Sequence, residues 1–384
     1  MKLRSIVFWL HLACGVIAGA VILIMSVTGV LLTYQRQITA WADVRGYEIS
    51  PAAQRLPVHT LIDRAAESRP DLAPSAVVIR SDPSAPASLT IGAGRQLFVD
   101  PYTGAVLGEG NGQTVRAFFR TVVEWHRYLA ASGASRPLGR AVTGAANLAF
   151  LFIVVSGLFL WWPRAWTRSS IRNITWFRRG LHGRPRDFNW HNTIGFWSAI
   201  PLAIIVAGSV VISYPWATAL VYRAFGENPP PASRPAATSG ARTTGSGDAL
   251  ETRALDAAIP AASQKMPEWQ TISVAIPGSN SSRVALTLDS GDGGQPQKKA
   301  VLTIDQRSGA IISWEPFSSQ SPGRRARTWL RFAHTGEVYG LPGQTFAGIV
   351  TGSAAVLVWT GIALAVRRLL AWRKRSRVTL PKAA

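Results

Sequence analysis

Cysteine is almost missing from this chain. Its 384 residues include one, Cys14, so no intramolecular disulfide can form and no thiolate metal site or iron–sulfur cluster can be assembled. No Cys-x-x-Cys-His stretch occurs, which excludes covalently attached c-type haem. No glycine-rich nucleotide-binding fingerprint occurs either, so no flavin or NADPH domain is built in. Acidic residues are scarce, 20 against 41 Lys plus Arg, and charged residues make up 16% against 47% hydrophobic. That balance is too apolar for an ordinary soluble protein and fits a membrane protein with soluble insertions. The net charge of +21 does not mark a nucleic-acid binder, because the arginines follow no recognition motif and crowd beside apolar runs, as topology signals do.

Four apolar runs exceed the roughly 20 residues needed to cross a bilayer. They define spans at 1–37, 138–163, 190–219 and 343–370. The first is too long for the core of a signal peptide and has no small-residue cleavage site after it, so it is expected to stay as an anchor. Arginines crowd the loop at 164–189 and the tail at 371–384, and Lys2 and Arg4 precede the first span. The positive-inside rule then places both termini and the middle loop in the cytoplasm. For a bacterial chain, the long segments between spans one and two and between spans three and four fall in the periplasm. Each reads as a helix followed by short strands, at 45–112 and 249–320, and each returns to the membrane through an amphipathic stretch, at 113–137 and 321–342. Residues 226–248, rich in Pro, Ala and Ser, read as a flexible linker.

The halves resemble each other. His11 precedes Tyr34 at the spacing with which His191 precedes Tyr214, and Gly139 precedes Gly157 as Gly343 precedes Gly361. The later glycine follows Ser156 in one half and Thr360 in the other, and "FVDPYTGAVLG" parallels "TIDQRSGAIIS". The expectation is an α-helical membrane protein of four transmembrane helices in two parallel repeats, each with an α+β insertion.

Six histidines are present, and four fall at equivalent places. His11 and His191 stand at the cytoplasmic ends of spans one and three; His126 and His334 stand at the outer approaches to spans two and four. Two imidazoles facing each other across a four-helix bundle suit the axial positions of a haem iron. His11 and His334 are separated by on the order of 30 Å of helix and cannot share one iron. The consistent pairing is His11 with His191 inside and His126 with His334 outside, with small residues such as Gly15, Gly19, Gly144, Gly157, Gly195, Gly352 and Gly361 lining the space. The bland reading stays open beside it: an interfacial histidine is commonly a headgroup contact, and a duplicated chain inherits symmetry whatever the ancestral residue did. His59 and His182 lack repeat partners and read as surface residues.

"FWLHLACGVIAGAVILIMSVTGVLLTY", "SGLFLWWPR" and "FAHTGEVYGLPGQ", with "VDPYTGAV" in the first insertion, resemble the PepSY-associated transmembrane (iron-regulated membrane protein) family over nearly the whole chain. The resemblance implies two PepSY-like periplasmic domains, and a relation to inner-membrane reductases of ferric siderophores carrying b-type haem on helix histidines. It makes His11, His126, His191 and His334 the candidate haem ligands, and implies two b haems, a ferric siderophore as acceptor, a cytoplasmic or quinol donor, and contact with membrane lipid. Trp125, Trp314, Trp329, Glu337 and Tyr339 are candidates for the substrate mouth. One departure is that Gly208-Ser209 stands where the first span has Thr28-Gly29. Two other readings compete: a peptide- or protein-binding scaffold without redox activity, and a siderophore transport component.

Overall fold

A computed structural model describes residues 3–70, 74–92, 95–163, 166–230, 248–276, 282–306 and 308–378. The chain divides into a helical unit, Met1–Gln35, Phe118–Val221 and Trp329–Ala384, and a sheet unit, Arg36–Ala117 and Tyr222–Thr328. Most of the expected linker, together with Arg164, lies outside the described residues.

Four helices of the helical unit are long and apolar enough to cross a membrane. They are α1 (Leu3–Leu31), α5 (Arg136–Trp161), α7 (Gly183–Ser213) and α11 (Gly340–Val378). Pro137 opens α5, where a missing N–H costs no helix bond. The third span begins earlier than its apolar run and stops sooner. Pro215 has no N–H to continue the ladder and forces Tyr214 into extended backbone (φ −123°, ψ 122°), so the remaining apolar residues form a separate short helix, α8 (Pro215–Ala224). The fourth span runs on as helix through much of the basic tail.

Each span packs against two neighbours, in the order α1, α5, α7, α11 and back to α1. Thus α1 lies diagonally opposite α7, and α5 opposite α11. The middle of the bundle is an apolar layer that includes Ile22, Val154, Leu202 and Ala354. The basic loop is folded rather than free. Asn189 is buried and accepts from the Arg178 amide at 3.0 Å, while its own amide donates to the Asn173 and Trp176 carbonyls at 2.9 and 3.1 Å. This holds α6 (Arg168–Thr175) against α7. Asp187, also buried, pairs with Arg186 at 3.0 Å and with Arg367 at 2.5 Å, tying α7 to α11.

Two amphipathic helices lead into the second and fourth spans: α4 (Gln113–Tyr128) and α10 (Pro322–Thr335). The turn after α10 uses Gly336 and Gly340 at positive φ (74° and 64°). After α4 the same reversal is made by Leu129 and Ala130 (φ 52° and 58°), which side chains tolerate poorly.

In the sheet unit the two insertions do not form separate sheets. Strands β1 (Pro74–Arg80), β2 (Ala87–Ile91), β3 (Arg95–Val99), β4 (Val106–Gly108), β5 (Thr271–Ala275), β6 (Arg283–Asp289), β7 (Lys299–Asp305) and β8 (Ile311–Pro316) make one antiparallel sheet in the order β4-β3-β2-β1-β5-β6-β7-β8. The halves join at β1 and β5, with Val77 opposite Val274. One face is alternately apolar, as burial on one side demands, and Val77, Leu89, Ile272, Leu286 and Ile304 share a core with α3 (Val58–Ser68) and α9 (Asp248–Lys265). The two tight turns are built alike. Asp100 accepts from the Tyr102 amide and Asp305 from the Ser308 amide, both at 2.8 Å, and each turn closes on a left-handed glycine, Gly104 or Gly309.

His59 is not a bare surface residue: its Nδ1 bonds the Asp256 carboxylate. Asp256 Oδ1 also accepts from the Val58 and His59 amides at 2.6 and 3.3 Å, capping α3 from α9. Loss of an N-cap costs about 1 kcal/mol, up to about 2. Asp256→Ala is therefore expected to lower the thermal midpoint of the sheet unit by that much stability, while Asp256→Asn, which keeps an acceptor, loses less.

Candidate functional site

His11 lies on α1 and His191 on α7, the diagonal pair of the bundle. His126, near the end of α4, reaches α1, and His334, near the end of α10, reaches α7. His334 lies within electrostatic reach of His126, and His11 within reach of His191. The structure thus brings the four histidines together as the two expected pairs. Thr28, which His126 contacts, is about 25 Å along α1 from His11 at 1.5 Å per residue. The apolar layer of the bundle lies between the two levels. Among the described residues no group of three or more His, Cys, Asp or Glu converges, so the histidines offer pairs and not a polydentate cluster.

Each imidazole is fixed through Nδ1. His11 Nδ1 is 2.9 Å from Ser156 Oγ, His126 Nδ1 is 2.9 Å from Thr28 Oγ1, and His191 Nδ1 is 3.0 Å from Thr360 Oγ1. Each hydroxyl spends its one proton on a carbonyl of its own helix: Ser156 on Ile153 at 3.2 Å, Thr28 on Ile24 at 2.6 Å, Thr360 on Val356 at 2.8 Å. The hydroxyl must therefore accept, and Nδ1–H must donate. His334 Nδ1 is 2.8 Å from the Ile205 carbonyl oxygen, which can only accept. All four rings are thereby held as the Nδ1–H tautomer, with the Nε2 lone pair left over. Among the described residues Nε2 of these four has no hydrogen-bond partner. Burial also keeps the outlying pair neutral: it pushes the His126 imidazole down to about 4 and lowers that of His334.

Small residues make room for the rings. A Cβ on Gly157 would lie 3.5 Å from His11 Cε1, one on Gly361 3.3 Å from His191 Cε1, and one on Gly29 3.4 Å from His126 Cε1. Gly15 and Gly195 each follow a histidine by one helical turn. A Cβ would meet nothing within 4 Å at Gly15, and only Leu357, at 3.7 Å, at Gly195. Of the other expected lining glycines, Gly144 faces Tyr214, Gly19 faces Ile362 and Gly352 faces Val30. These three pack helices and do not line an imidazole.

The structure separates the remaining candidates. Trp125 and Tyr339 are exposed in the helical unit, Trp329 is half-buried there, and Glu337 accepts from the Thr335 hydroxyl at 2.9 Å. Trp314 belongs to the sheet unit, where it packs against the core cluster. His182 is exposed just before α7 and makes no capping bond. Sequence reasoning missed the roles of Thr28, Ser156 and Thr360. Their signal was present as a Ser/Thr-Gly pair in three of the four spans.

No curated protein matches the sequence. A family model described as PepSY-associated TM region matches residues 8–368, which takes in all four spans, both insertions and the four paired histidines. The chain belongs to the PepSY-associated transmembrane family.

Proposed function

We propose that this protein is an inner-membrane electron-transfer protein that holds two b-type haems and reduces a ferric siderophore on the periplasmic side, releasing Fe(II). The observation that carries the reading is the tautomer of the four paired histidines. To hold a haem iron these histidines would need a neutral imidazole with a free Nε2, and a bond from the other nitrogen that fixes the ring. Four rings meet both conditions, at two levels, across a bundle diagonal.

When bound, haem would supply a one-electron carrier at each level. The chain's own residues do the rest. Ser156, Thr28, Thr360 and the Ile205 carbonyl orient the rings. Gly157, Gly361 and Gly29 let neighbouring backbone approach them. The apolar layer of Ile22, Val154 and Leu202 keeps water from running between the levels. The arginines of the middle loop and tail orient the chain with His11 and His191 toward the cytoplasm. The repeat-related insertions then lie in the periplasm as PepSY-like domains, and Trp125 and Tyr339 stand exposed beside the outer pair. Siderophore oxygens are hard donors that hold Fe(III) far better than Fe(II), so one electron is enough to loosen the chelate.

The test uses the full-length protein in detergent, reduced with dithionite under anaerobic conditions and freed of excess reductant. Adding a ferric siderophore is expected to return the reduced b-type spectrum to its oxidised form while a ferrous chelator traps Fe(II). A spectrum that stays reduced across hydroxamate, catecholate and mixed siderophores would remove the reductase assignment. One observation favours the peptide-binding alternative: the edge strand β8 exposes Ile311 and Ile312, as a strand-pairing surface would.

A further inference from the structure

The four imidazoles are not held alike. Three donate Nδ1–H to a hydroxyl, and His334 donates to a main-chain carbonyl, that of Ile205, at 2.8 Å. The cause lies in α7. Gly208 follows His191 at the spacing with which Thr28 follows His11, and Ile205 precedes Gly208 as Met25 precedes Thr28. Position 208 has no hydroxyl and no room for one. A Cβ there would lie 2.5 Å from the Leu330 carbonyl oxygen and 3.0 Å from His334 Cβ. The absent side chain lets α10 close on α7 until the imidazole reaches the peptide oxygen.

We infer that Thr28 and Gly208 are positioning residues that make the His126/His334 site unequal, so that Nε2 of His334 would be the stronger donor to a haem iron held there and Nε2 of His126 the weaker. This rests on the haem reading. An amide oxygen is a stronger hydrogen-bond acceptor than an alcohol oxygen. The more strongly Nδ1–H is drawn, the more basic Nε2 becomes. A more basic axial ligand favours the ferric state and lowers the reduction potential of its site. The bias falls on the pair that the proposed orientation turns toward the periplasm, where a low potential serves reduction of a tightly held ferric chelate. Exposed Arg127 and Arg331 lie within electrostatic reach of the same imidazoles and act in the opposite sense. The decisive comparison is therefore between variants of one site, not between the two sites.

Thr28→Gly gives the first half the residue that the second half has. The Met25 carbonyl lies 3.1 Å from Thr28 Oγ1, the partner of His126, and already acts on that imidazole, so the ring can turn to it as His334 turns to Ile205. Redox titration of the holoprotein, followed in the visible bands, is expected to show one midpoint potential shifted downward and the other unmoved. Thr28→Ser, which keeps a hydroxyl, restores the wild-type value. Ser156→Gly shifts the other potential instead. Gly208→Ala is expected to abolish the low-spin bis-imidazole resonance of one haem in the electron paramagnetic resonance spectrum; if that variant does not accumulate, the Thr28 and Ser156 titrations decide alone. Potentials that ignore Thr28→Gly, or that both move by the same amount, overturn the inference while leaving the haem reading in place. Wild-type protein that binds no haem overturns both.

Discussion

Replacing His334 with alanine is expected to halve the haem carried by each chain, and replacing His126 with alanine, made alone, to halve it by the same amount. The double replacement should lose no more than either single one, because each imidazole is useless without its partner across the bundle. That non-additivity is the signature of a shared site. His11→Ala and His191→Ala should remove the other half in the same manner, and a variant lacking one histidine from each pair should be colourless. The readout is extracted haem per mole of purified protein. If instead the four single variants each lost about a quarter and doubles added up, each histidine would hold a separate group and the pairing would be wrong. The geometry argues for sharing. His126 and His334 are fixed from opposite corners of the bundle, through Thr28 of α1 and Ile205 of α7. His11 and His191 themselves sit on that diagonal and are fixed by Ser156 of α5 and Thr360 of α11.

The second large effect concerns two glycines that touch no imidazole. A Cβ on Gly139 would lie 2.2 Å from the Tyr128 carbonyl oxygen, and one on Gly343 would lie 2.3 Å from the Gly336 carbonyl oxygen. Backbone cannot yield as the end of a flexible side chain can. Gly139→Ala and Gly343→Ala are each expected to destabilise the helical unit by about 1–3 kcal/mol, the usual cost of forcing atoms into a packed interior. Tyr128 and Gly336 stand two residues after His126 and His334. The displaced backbone should therefore carry the imidazole away, and haem should be lost from that site while the His11/His191 site keeps its own. Gly352→Ala is the matched control. Its Cβ would meet only Val30, at 3.8 Å, and alanine is the better helix former, so thermal stability should hold or rise. Detergent thermal unfolding followed together with absorbance separates the two outcomes.

Much of this was readable from residue order because membrane spans are governed by length and apolarity. The four spans and the amphipathic approaches carrying His126 and His334 follow from those rules. The third span's end was misread because apolarity continues past Tyr214, while the backbone obeys Pro215. The union of the insertions was not readable. Each has its own helix-then-strands pattern, and nothing local in "SAVVIRS" or "TISVAIP" says that β1 and β5 are partners. Strand pairing is a tertiary choice. His59 looked like a surface residue because its partner, Asp256, lies far along the chain. The hydroxyls at positions 28, 156 and 360 were visible as part of a repeat, but their task shows only once helix packing sets each beside an imidazole, Ser156 of α5 against His11 of the neighbouring α1 and Thr360 of α11 against His191 of the neighbouring α7. The substitution at Gly208 was visible too. What it does is local to His334, on the α10 side of the bundle, where it exchanges a hydroxyl for a peptide oxygen.

Whether four Nδ1–H imidazoles hold two haems is decided by the haem stoichiometry and spectrum of the full-length protein purified in detergent from haem-replete cells. Two non-covalent haems per chain are expected, with sharp reduced b-type α and β bands and low-spin bis-imidazole resonances in the oxidised state. A colourless protein, or one whose haem is high-spin or substoichiometric after reconstitution with added haem, would contradict it.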